Sequence, residues 1–426
     1  MGNAYIISII KKANTVFWGM ISIILLNRYL GPELKGEYAY VTNLLSILMV
    51  ILGFGISTIY PVYKRKDDKK YFHIFVKLVI IQFITYISLG LILCTISTDF
   101  NLRVLAILTP ICVLASEIGY INLVEEFKFN AIVAIISAFI NALLFIFAYI
   151  FLEKNLIVAY IIYAIKELLI IILTFISIKK RKVEKVKVEH PIKEYKEIII
   201  SGIVPMITNL LIVINYRIDV LMLTWQNIDS YLIGLYSVGV SIAEYAWIVP
   251  DIFKEVIINK TARNDSIEDV KFSLRISSTF LIIVFLIMFF FGKLILQILF
   301  GAEYVDAYYV TVIIFTGIYS MTYCKIIGTL FIAKGKQKFY CNTLLVGTIS
   351  NIIINYIVIP RWNIYGAAIA TVISYTIVGG VFIFEFKRLY KNKLRDILCV
   401  KREDFSIISK RIKQILSKND VKNSSY

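Results

Sequence analysis

The amino-acid sequence predicts an all-α integral membrane protein, with about twelve transmembrane helices in two six-helix bundles around a central cavity. Hydrophobic residues make up 59% of the 426 residues and charged residues only 18%, and the mean hydropathy is +0.78. Apolar runs of about 20 residues, the length that crosses a bilayer, recur along the chain. A basic segment near the midpoint separates these runs into two equal sets.

The first apolar run follows Lys11 and Lys12 and has some features of a secretory signal peptide. It ends in Asn27-Arg-Tyr-Leu-Gly-Pro32 rather than in a small-residue cleavage site, so we expect a retained helix. The predicted spans are 13–30, 38–62, 73–95, 103–123, 131–152, 156–178, 197–223, 231–253, 272–297, 306–331, 340–360 and 365–386.

Lysine and arginine are concentrated in alternate connections between the predicted spans. The connections after even-numbered spans include the basic stretches 64–70 and 179–196, whereas those after odd-numbered spans carry few basic residues, such as Lys35 and Lys154. Because short cytoplasmic loops collect positive charge, we expect both termini in the cytoplasm. The net charge of +17 then reflects topology and contact with anionic membrane lipid, and nucleic-acid binding is not expected.

The basic linker 179–196 divides the chain into an N-terminal bundle, 1–178, and a C-terminal bundle, 197–388. The basic tail, 389–426, contains apolar residues at helical spacing, which predicts an amphipathic helix on the cytoplasmic leaflet. These apolar residues are Phe405, Ile408, Ile412, Ile415 and Leu416.

Short matches between the two halves indicate an internal repeat. Gly36-Glu-Tyr-Ala-Tyr40 matches Gly234-Leu-Tyr-Ser-Val238, and Asn155-Leu-Ile-Val-Ala159 matches Asn363-Ile-Tyr-Gly-Ala367 at nearly the same offset. Because each half has an even number of spans, the halves would share one orientation and be related by an axis along the membrane normal. Such a pair of bundles encloses a central cavity.

The sequence does not predict a metal centre, a cofactor or catalytic residues. The five cysteines show no ligand spacing, and the two histidines lie in basic loops. A membrane glycosyltransferase or polymerase usually needs a sizeable external loop to hold sugar and catalytic carboxylates. The predicted extracytoplasmic connections are all short, which argues against an enzyme.

Five cations lie within otherwise apolar spans, where a charged side chain costs on the order of 2.5–3.5 kcal/mol and is expected to face a bundle interior or a wet cavity. Lys166 and Lys325 lie deepest, whereas the others lie near span ends and could instead extend to the lipid headgroups. All five are candidates for binding an anionic cargo: Arg28, Lys166, Arg217, Arg275 and Lys325.

Four carboxylates also lie within the spans: Glu117, Glu167, Asp219 and Glu244. Each could form an ion pair with another helix or take up the proton or sodium ion that drives transport, and the sequence does not select one. Lys166 and Glu167 point about 100° apart on a helix, so we expect them to be poor partners for each other. Arg217 and Asp219 point about 200° apart, so we expect one of them to face the cavity and the other to pack against a neighbouring helix or reach the outer headgroups. If Arg217 is the cavity residue, Asp219 has the structural role.

Several motifs resemble those of the Wzx-type polysaccharide or O-antigen flippases of the MATE-like multidrug, oligosaccharidyl-lipid and polysaccharide exporter superfamily. The resemblance extends to about Arg388. The motifs are Asn27–Tyr40, Arg217-Ile-Asp219, Ile233-Gly-Leu-Tyr236, Leu299-Phe-Gly-Ala-Glu-Tyr304, Asn351 with Asn355, Ile359-Pro360 and Gly366–Thr371.

The resemblance implies a fold and a cargo class. The cargo would be an oligosaccharide linked to undecaprenyl pyrophosphate, moved from the cytoplasmic to the outer leaflet of the bacterial inner membrane for lipopolysaccharide or related surface polysaccharides. Expected partners are the polysaccharide polymerase and glycosyltransferases. The alternatives are a drug/cation antiporter of the same fold and, less favoured, a multispanning glycosyltransferase or polymerase.

Overall fold

The computed structural model describes residues 2–180, 191–261 and 267–391, together with 397, 400–401 and 404. The described chain is almost entirely helical, because the long apolar runs can satisfy their backbone polar groups in a membrane only as helices. The helices are α1 (Gly2–Gly53), α2 (Ile56–Lys64), α3 (Asp68–Ile96), α4 (Phe100–Glu125), α5 (Phe127–Phe151), α6 (Leu156–Lys180), α7 (Pro191–Trp225), α8 (Ser230–Tyr245), α9 (Ile248–Thr261), α10 (Ile267–Phe300), α11 (Ala307–Ala333) and α12 (Gln337–Tyr390), with a 3-10 turn at Ala302–Tyr304.

The two longest helices are each kinked. α1 has 52 residues and α12 has 54, so each would extend about 80 Å if it were straight, more than twice the hydrocarbon thickness. α1 bends at Gly31 (φ 71°, ψ 171°), directly before Pro32. α12 bends at Asn363 (φ 47°, ψ −130°), three residues after Pro360. Glycine and asparagine tolerate a positive φ, and proline lacks an amide donor, so these residues suit a sharp reversal of the chain.

Nine helices in the described ranges are long and apolar enough to cross a membrane, or ten if the bent pair α8 and α9 forms one span. The bend between α8 and α9 is 49°. Dividing α1 and α12 at their kinks is consistent with the twelve predicted spans. The chain is therefore a multi-pass, all-α membrane protein.

Two predicted spans contain a break that the sequence analysis did not anticipate. The span 38–62 is interrupted at Phe54 and Gly55, whose φ angles are 50° and 65°. The span 231–253 is interrupted at Ala246 and Trp247, between α8 and α9. α6 runs to Lys180 and α7 begins at Pro191, so helices extend into both ends of the predicted linker 179–196. The amphipathic helix predicted in the tail lies outside the described residues.

The chain divides into two compact units. Unit 1 comprises Met1–Val238, Leu294–Ala307 and Ile352–Ala367, and unit 2 comprises Gly239–Lys293, Tyr308–Asn351 and Ala368–Tyr426. Within unit 1, α1 packs against α5 and α7, and α4 packs against α6. These units do not coincide with the two six-helix bundles, whose boundary at 179–196 stays a prediction.

Candidate functional site

Two of the sequence motifs meet in unit 1, just before the kink of α1. The Arg28 Nε donates a hydrogen bond to the Leu299 carbonyl oxygen at 2.8 Å, and its guanidinium also bonds to the Ile298 carbonyl. The Tyr304 hydroxyl donates to the Asn27 carbonyl oxygen at 3.0 Å. The last carbonyls of a helix lack intrahelical donors and attract positive charge. Arg28 therefore caps the C-terminal end of α10.

The repeated glycines form a reciprocal helix crossing in unit 1. A Cβ atom added to Gly36 would lie 1.9 Å from the Ser230 carbonyl oxygen, and one added to Gly234 would lie 1.9 Å from the Pro32 carbonyl oxygen. Each glycine thus faces the residue four positions before the other glycine. Only a residue without a side chain permits such a close backbone approach. The pattern supports the internal repeat seen in the sequence.

Asp219 is held by two neutral side chains of unit 1. The Tyr236 hydroxyl donates to its Oδ2 at 2.8 Å, and the Asn355 Nδ2 donates to its Oδ1 at 2.6 Å. Asp219 is buried, and hydrogen bonds of this kind stabilise a buried carboxylate. The structure therefore places Asp219 against neighbouring helices.

Lys35 lies on the same side of the α1 kink as Gly36 and is only 8% exposed. Its ammonium is 5.2 Å from the centroid of the Tyr38 ring. No hydrogen bond or ion pair joins Lys35 to any residue that the structure describes. The positive charge of Arg217 acts on the Lys35 ammonium. Unit 1 thus contains two neighbouring cations, and the buried one has no counter-ion among the described residues.

An unpaired buried charge is unusual in a folded protein. Burial of a cation is unfavourable unless it is paired, and a second cation nearby adds repulsion. An anionic ligand with several oxygen acceptors would relieve both effects, since a lysine ammonium has three donors and a guanidinium five. The geometry therefore suits the binding of a phosphate-like anion.

Sequence reasoning missed Lys35, because it was assigned to the connection after the first span. The kink at Gly31 and Pro32 needs so few residues that the helix has already resumed at Lys35. Its position inside the motif Asn27–Tyr40 was the signal that could have identified it.

Lys166 and Glu167 form an ion pair, which corrects the expectation that they are poor partners. The Lys166 Nζ lies 2.9 Å from the Glu167 Oε1. Their Cα–Cβ vectors diverge along the helix, but both side chains are long enough to fold towards each other. Lys166 also lies 5.5 Å from the centroid of the Tyr163 ring.

The remaining candidate cations lie in unit 2, and both have carboxylate partners. The Lys325 Nζ is 2.9 Å from the Asp251 Oδ1 and 4.3 Å from the centroid of the Trp247 ring. The Arg275 guanidinium makes a bidentate contact with Asp404, with Nε to Oδ2 at 2.7 Å and Nη2 to Oδ1 at 2.6 Å. Both residues of the Arg275 pair are buried.

Asp404 anchors part of the tail to α10. Burial would raise the pKa of Asp404, but hydrogen bonds from Arg275 and from the Lys401 backbone amide, with the positive charges of both residues, hold it below its ordinary value of 3.8. The carboxylate is therefore charged at neutral pH, and the pair is a structural contact between the tail and α10 within unit 2.

Two candidate carboxylates lie next to the helix breaks. Glu117 is buried, and its Oε2 accepts a hydrogen bond from the Ser57 backbone amide at 2.7 Å, at the start of α2. Glu244 lies half-buried in the last turn of α8, beside the bend to α9. Whether either residue couples transport to an ion stays a prediction, as do the roles of Glu167 and Asp219.

A family model described as polysaccharide biosynthesis protein matches residues 3–249. No curated protein matches the chain.

Among solved structures, an inward-facing multidrug resistance MATE family transporter of the MOP superfamily has a TM-score of 0.69 at 13% identity, covering 88% of this chain and 95% of that one. A mutant of the Vibrio cholerae MATE transporter VcmN has a TM-score of 0.63 at 12% identity, covering 93% and 98%. A MOP superfamily transporter from Pyrococcus furiosus has a TM-score of 0.55 at 11% identity, covering 92% and 97%.

At these identities the solved structures establish the fold, which is the MATE-like fold. The family model covers more than half of the sequence and includes Lys35, Arg217 and Asp219. The resemblance seen in the motifs is thereby confirmed, and the chain belongs to the polysaccharide biosynthesis protein family.

Proposed function

We propose that this protein is a flippase that moves an oligosaccharide linked to undecaprenyl pyrophosphate across the bacterial cytoplasmic membrane, from the inner to the outer leaflet, for surface polysaccharide synthesis. The observation that carries the proposal is the buried Lys35, which has no counter-ion among the described residues and is acted on by the positive charge of Arg217. Both termini face the cytoplasm in this proposal, and the polymerase and glycosyltransferases of the same polysaccharide are its partners.

The cargo has two parts that a bilayer rejects for different reasons. The sugars need hydrogen bonds, and the pyrophosphate carries negative charge on both phosphates. Charge-assisted hydrogen bonds between phosphate oxygens and lysine or arginine are short and strong, above all where water is scarce. Lys35 and Arg217 together would neutralise the pyrophosphate while the lipid tail stays in the bilayer.

Arg217 and Lys35 do not suit a cationic drug. The positive charges of Lys35 and Arg217 would repel such a substrate, and the carboxylate two positions after Arg217, Asp219, is already bonded to Tyr236 and Asn355. The structurally similar transporter from Pyrococcus furiosus is described as having a binding pocket of reverse polarity that suggests a different function. That description supports the view that pocket charge separates cargo classes on this fold.

A binding measurement tests the phosphate site directly. The purified full chain in lipid nanodiscs is heated with and without inorganic pyrophosphate, and the unfolding midpoint is recorded. A ligand that binds only the folded state raises this midpoint. We expect a rise for the wild type and none for Lys35→Ala. A matched control is Lys77→Ala, which replaces an exposed lysine on the apolar helix α3 and should respond as the wild type does.

A transport measurement tests the cargo. Proteoliposomes containing labelled undecaprenyl-pyrophosphate saccharide are used to follow its movement between leaflets. We expect movement with the wild type and Lys77→Ala, a loss of at least about tenfold with Lys35→Ala, and partial recovery with Lys35→Arg, because arginine preserves the charge. Equal rates for Lys35→Ala and the wild type would refute the proposal.

A further inference from the structure

Unit 1 contains a cavity of about 280 Å³ at the end where α3 connects to α4 and α7 connects to α8. Its polar lining comes from Glu37, Tyr40, Asp99, Asn101, Thr224 and Ser230. No lysine or arginine is among the described residues that line it. The cavity therefore differs in charge from the neighbouring Lys35 and Arg217.

Most polar groups of this cavity have hydrogen-bonding capacity left over. Glu37, Tyr40, Asn101 and Ser230 make no side-chain hydrogen bond to any residue in the described ranges. Asp99 uses its Oδ1 to accept the Leu102 backbone amide at 3.0 Å, at the start of α4, and its other oxygen remains available. The cavity thus offers carboxylate acceptors, an amide that can donate and accept, and hydroxyls that can do both.

This set of groups matches the chemistry of a sugar. Sugar hydroxyls donate to carboxylates in charge-assisted hydrogen bonds, and the apolar face of a sugar ring can pack on the ring of Tyr40, which has an apolar body and a polar tip. The volume lies just below the lower end of the range of about 300–1,000 Å³ typical of small-ligand pockets, so it suits one or two sugar units. No cluster of three or more metal-ligating side chains occurs in the described part of the chain.

We propose that this cavity binds a sugar of the cargo glycan and selects against acidic sugars. Glu37 and Asp99 would repel the carboxylate of a uronic acid, whereas a neutral or amino-bearing sugar satisfies them. The assignment of the sugar to a cargo rests on the proposed flippase function. Lys35, Gly36 and Glu37 are consecutive, so the phosphate site and the sugar cavity meet at one turn of α1.

The two adjacent sites bind different parts of the same lipid-linked oligosaccharide. Lys35 and Arg217 bind the pyrophosphate without regard to the glycan. The Glu37 cavity binds a sugar and sets which repeat units are accepted. Bacterial surface polysaccharides with an uncharged or amino-bearing sugar at that position are then the expected products, and the cavity is the determinant of specificity.

Saturation-transfer NMR on the full chain in nanodiscs tests this cavity with three probes that share one ring: glucose, glucosamine and glucuronate. For the wild type we expect transfer to glucose and glucosamine and less to glucuronate. Glu37→Gln and Tyr40→Leu should each lower the glucose affinity about three- to tenfold. The Glu37 variant loses a charge-assisted hydrogen bond, and the Tyr40 variant loses the aromatic ring on which the sugar packs. The matched control is Glu33→Gln, which neutralises an exposed carboxylate one turn earlier on α1 and outside the cavity lining.

Three outcomes would overturn the proposal. One is the absence of glucose transfer with the wild type, and another is equal glucose transfer in Glu37→Gln, Tyr40→Leu and Glu33→Gln. The third is transfer to glucosamine alone, which would identify a cation site.

The pyrophosphate measurement keeps the two proposals separate. Stabilisation by pyrophosphate without glucose binding would overturn the sugar cavity and leave the flippase proposal intact. Glucose binding that depends on Glu37, without stabilisation by pyrophosphate, would remove the phosphate site and leave a sugar-binding cavity.

Discussion

Lys35 in unit 1 and Arg275 in unit 2 are both buried cations, 8% and 5% exposed, but their surroundings differ. Arg275 is held by both oxygens of Asp404. Lys35 has a tyrosine ring and a second cation nearby and no carboxylate partner within the described chain. The comparison teaches that burial alone does not identify a binding residue. The presence or absence of a counter-ion separates a structural cation from one that is available to a ligand.

The largest effect is expected when the Arg275 pair is broken. Asp404→Ala leaves a buried guanidinium without its carboxylate, which typically destabilises a protein by about 3–5 kcal/mol. Membrane abundance and the unfolding midpoint of the purified protein should both fall. The double variant Arg275→Met with Asp404→Leu should recover much of the loss, because no charge is left unpaired. Wild-type stability of Asp404→Ala would contradict the structural role.

The effect of replacing Lys35 should have the opposite sign. Lys35→Met removes an unpaired buried charge and keeps a side chain of similar length, so the ligand-free protein should be as stable as the wild type or more stable by up to about 3 kcal/mol. The measurement is the unfolding midpoint without pyrophosphate, with Lys77→Met as the control. A marked loss of stability in Lys35→Met would show that Lys35 has a structural role and would end the contrast with Arg275.

A smaller effect is expected for the Lys325 pair, which is less buried. The side chains of Lys325 and Asp251 are 14% and 32% exposed, so water screens part of their attraction. A double-mutant cycle with Lys325→Ala and Asp251→Ala should give a coupling of about 1 kcal/mol in the unfolding free energy. A coupling near zero would mean that Lys325 is available to a ligand, as the sequence alone suggested.

The smallest effect is expected from mild acid. Because the pKa of Asp404 is lowered in the folded protein, its contribution to stability is fully present above its ordinary value and is lost as the pH falls through the lowered value. The stability difference between the wild type and Asp404→Asn should therefore stay constant from pH 7 down to about pH 5 and should shrink below about pH 4. A difference that disappears near pH 6 would contradict a charged, paired Asp404.

The kinks of α1 and α12 are features that the local sequence was able to predict. The sequences around Gly31 and Asn363 predicted a chain reversal between adjacent spans, and the structure bends at both residues. The breaks at Phe54 and between α8 and α9 were missed, because both lie inside apolar runs that read as continuous helices. Hydropathy records whether a segment can enter a membrane, but it does not record a change in helix direction.

The sequence by itself determined the fold class, the approximate extent of the apolar runs and the family, because the length and apolarity of a run and the motifs are local properties of the chain. It also indicated that several charges lie within the bilayer. Only the tertiary structure decided which of these charges are paired. Asp404 reaches Arg275 from 129 positions away, and Asn355 reaches Asp219 from 136 positions away, whereas Lys35 meets no carboxylate in the described chain. Pairing depends on which helices pack together, and that packing is a property of the whole fold rather than of any one segment.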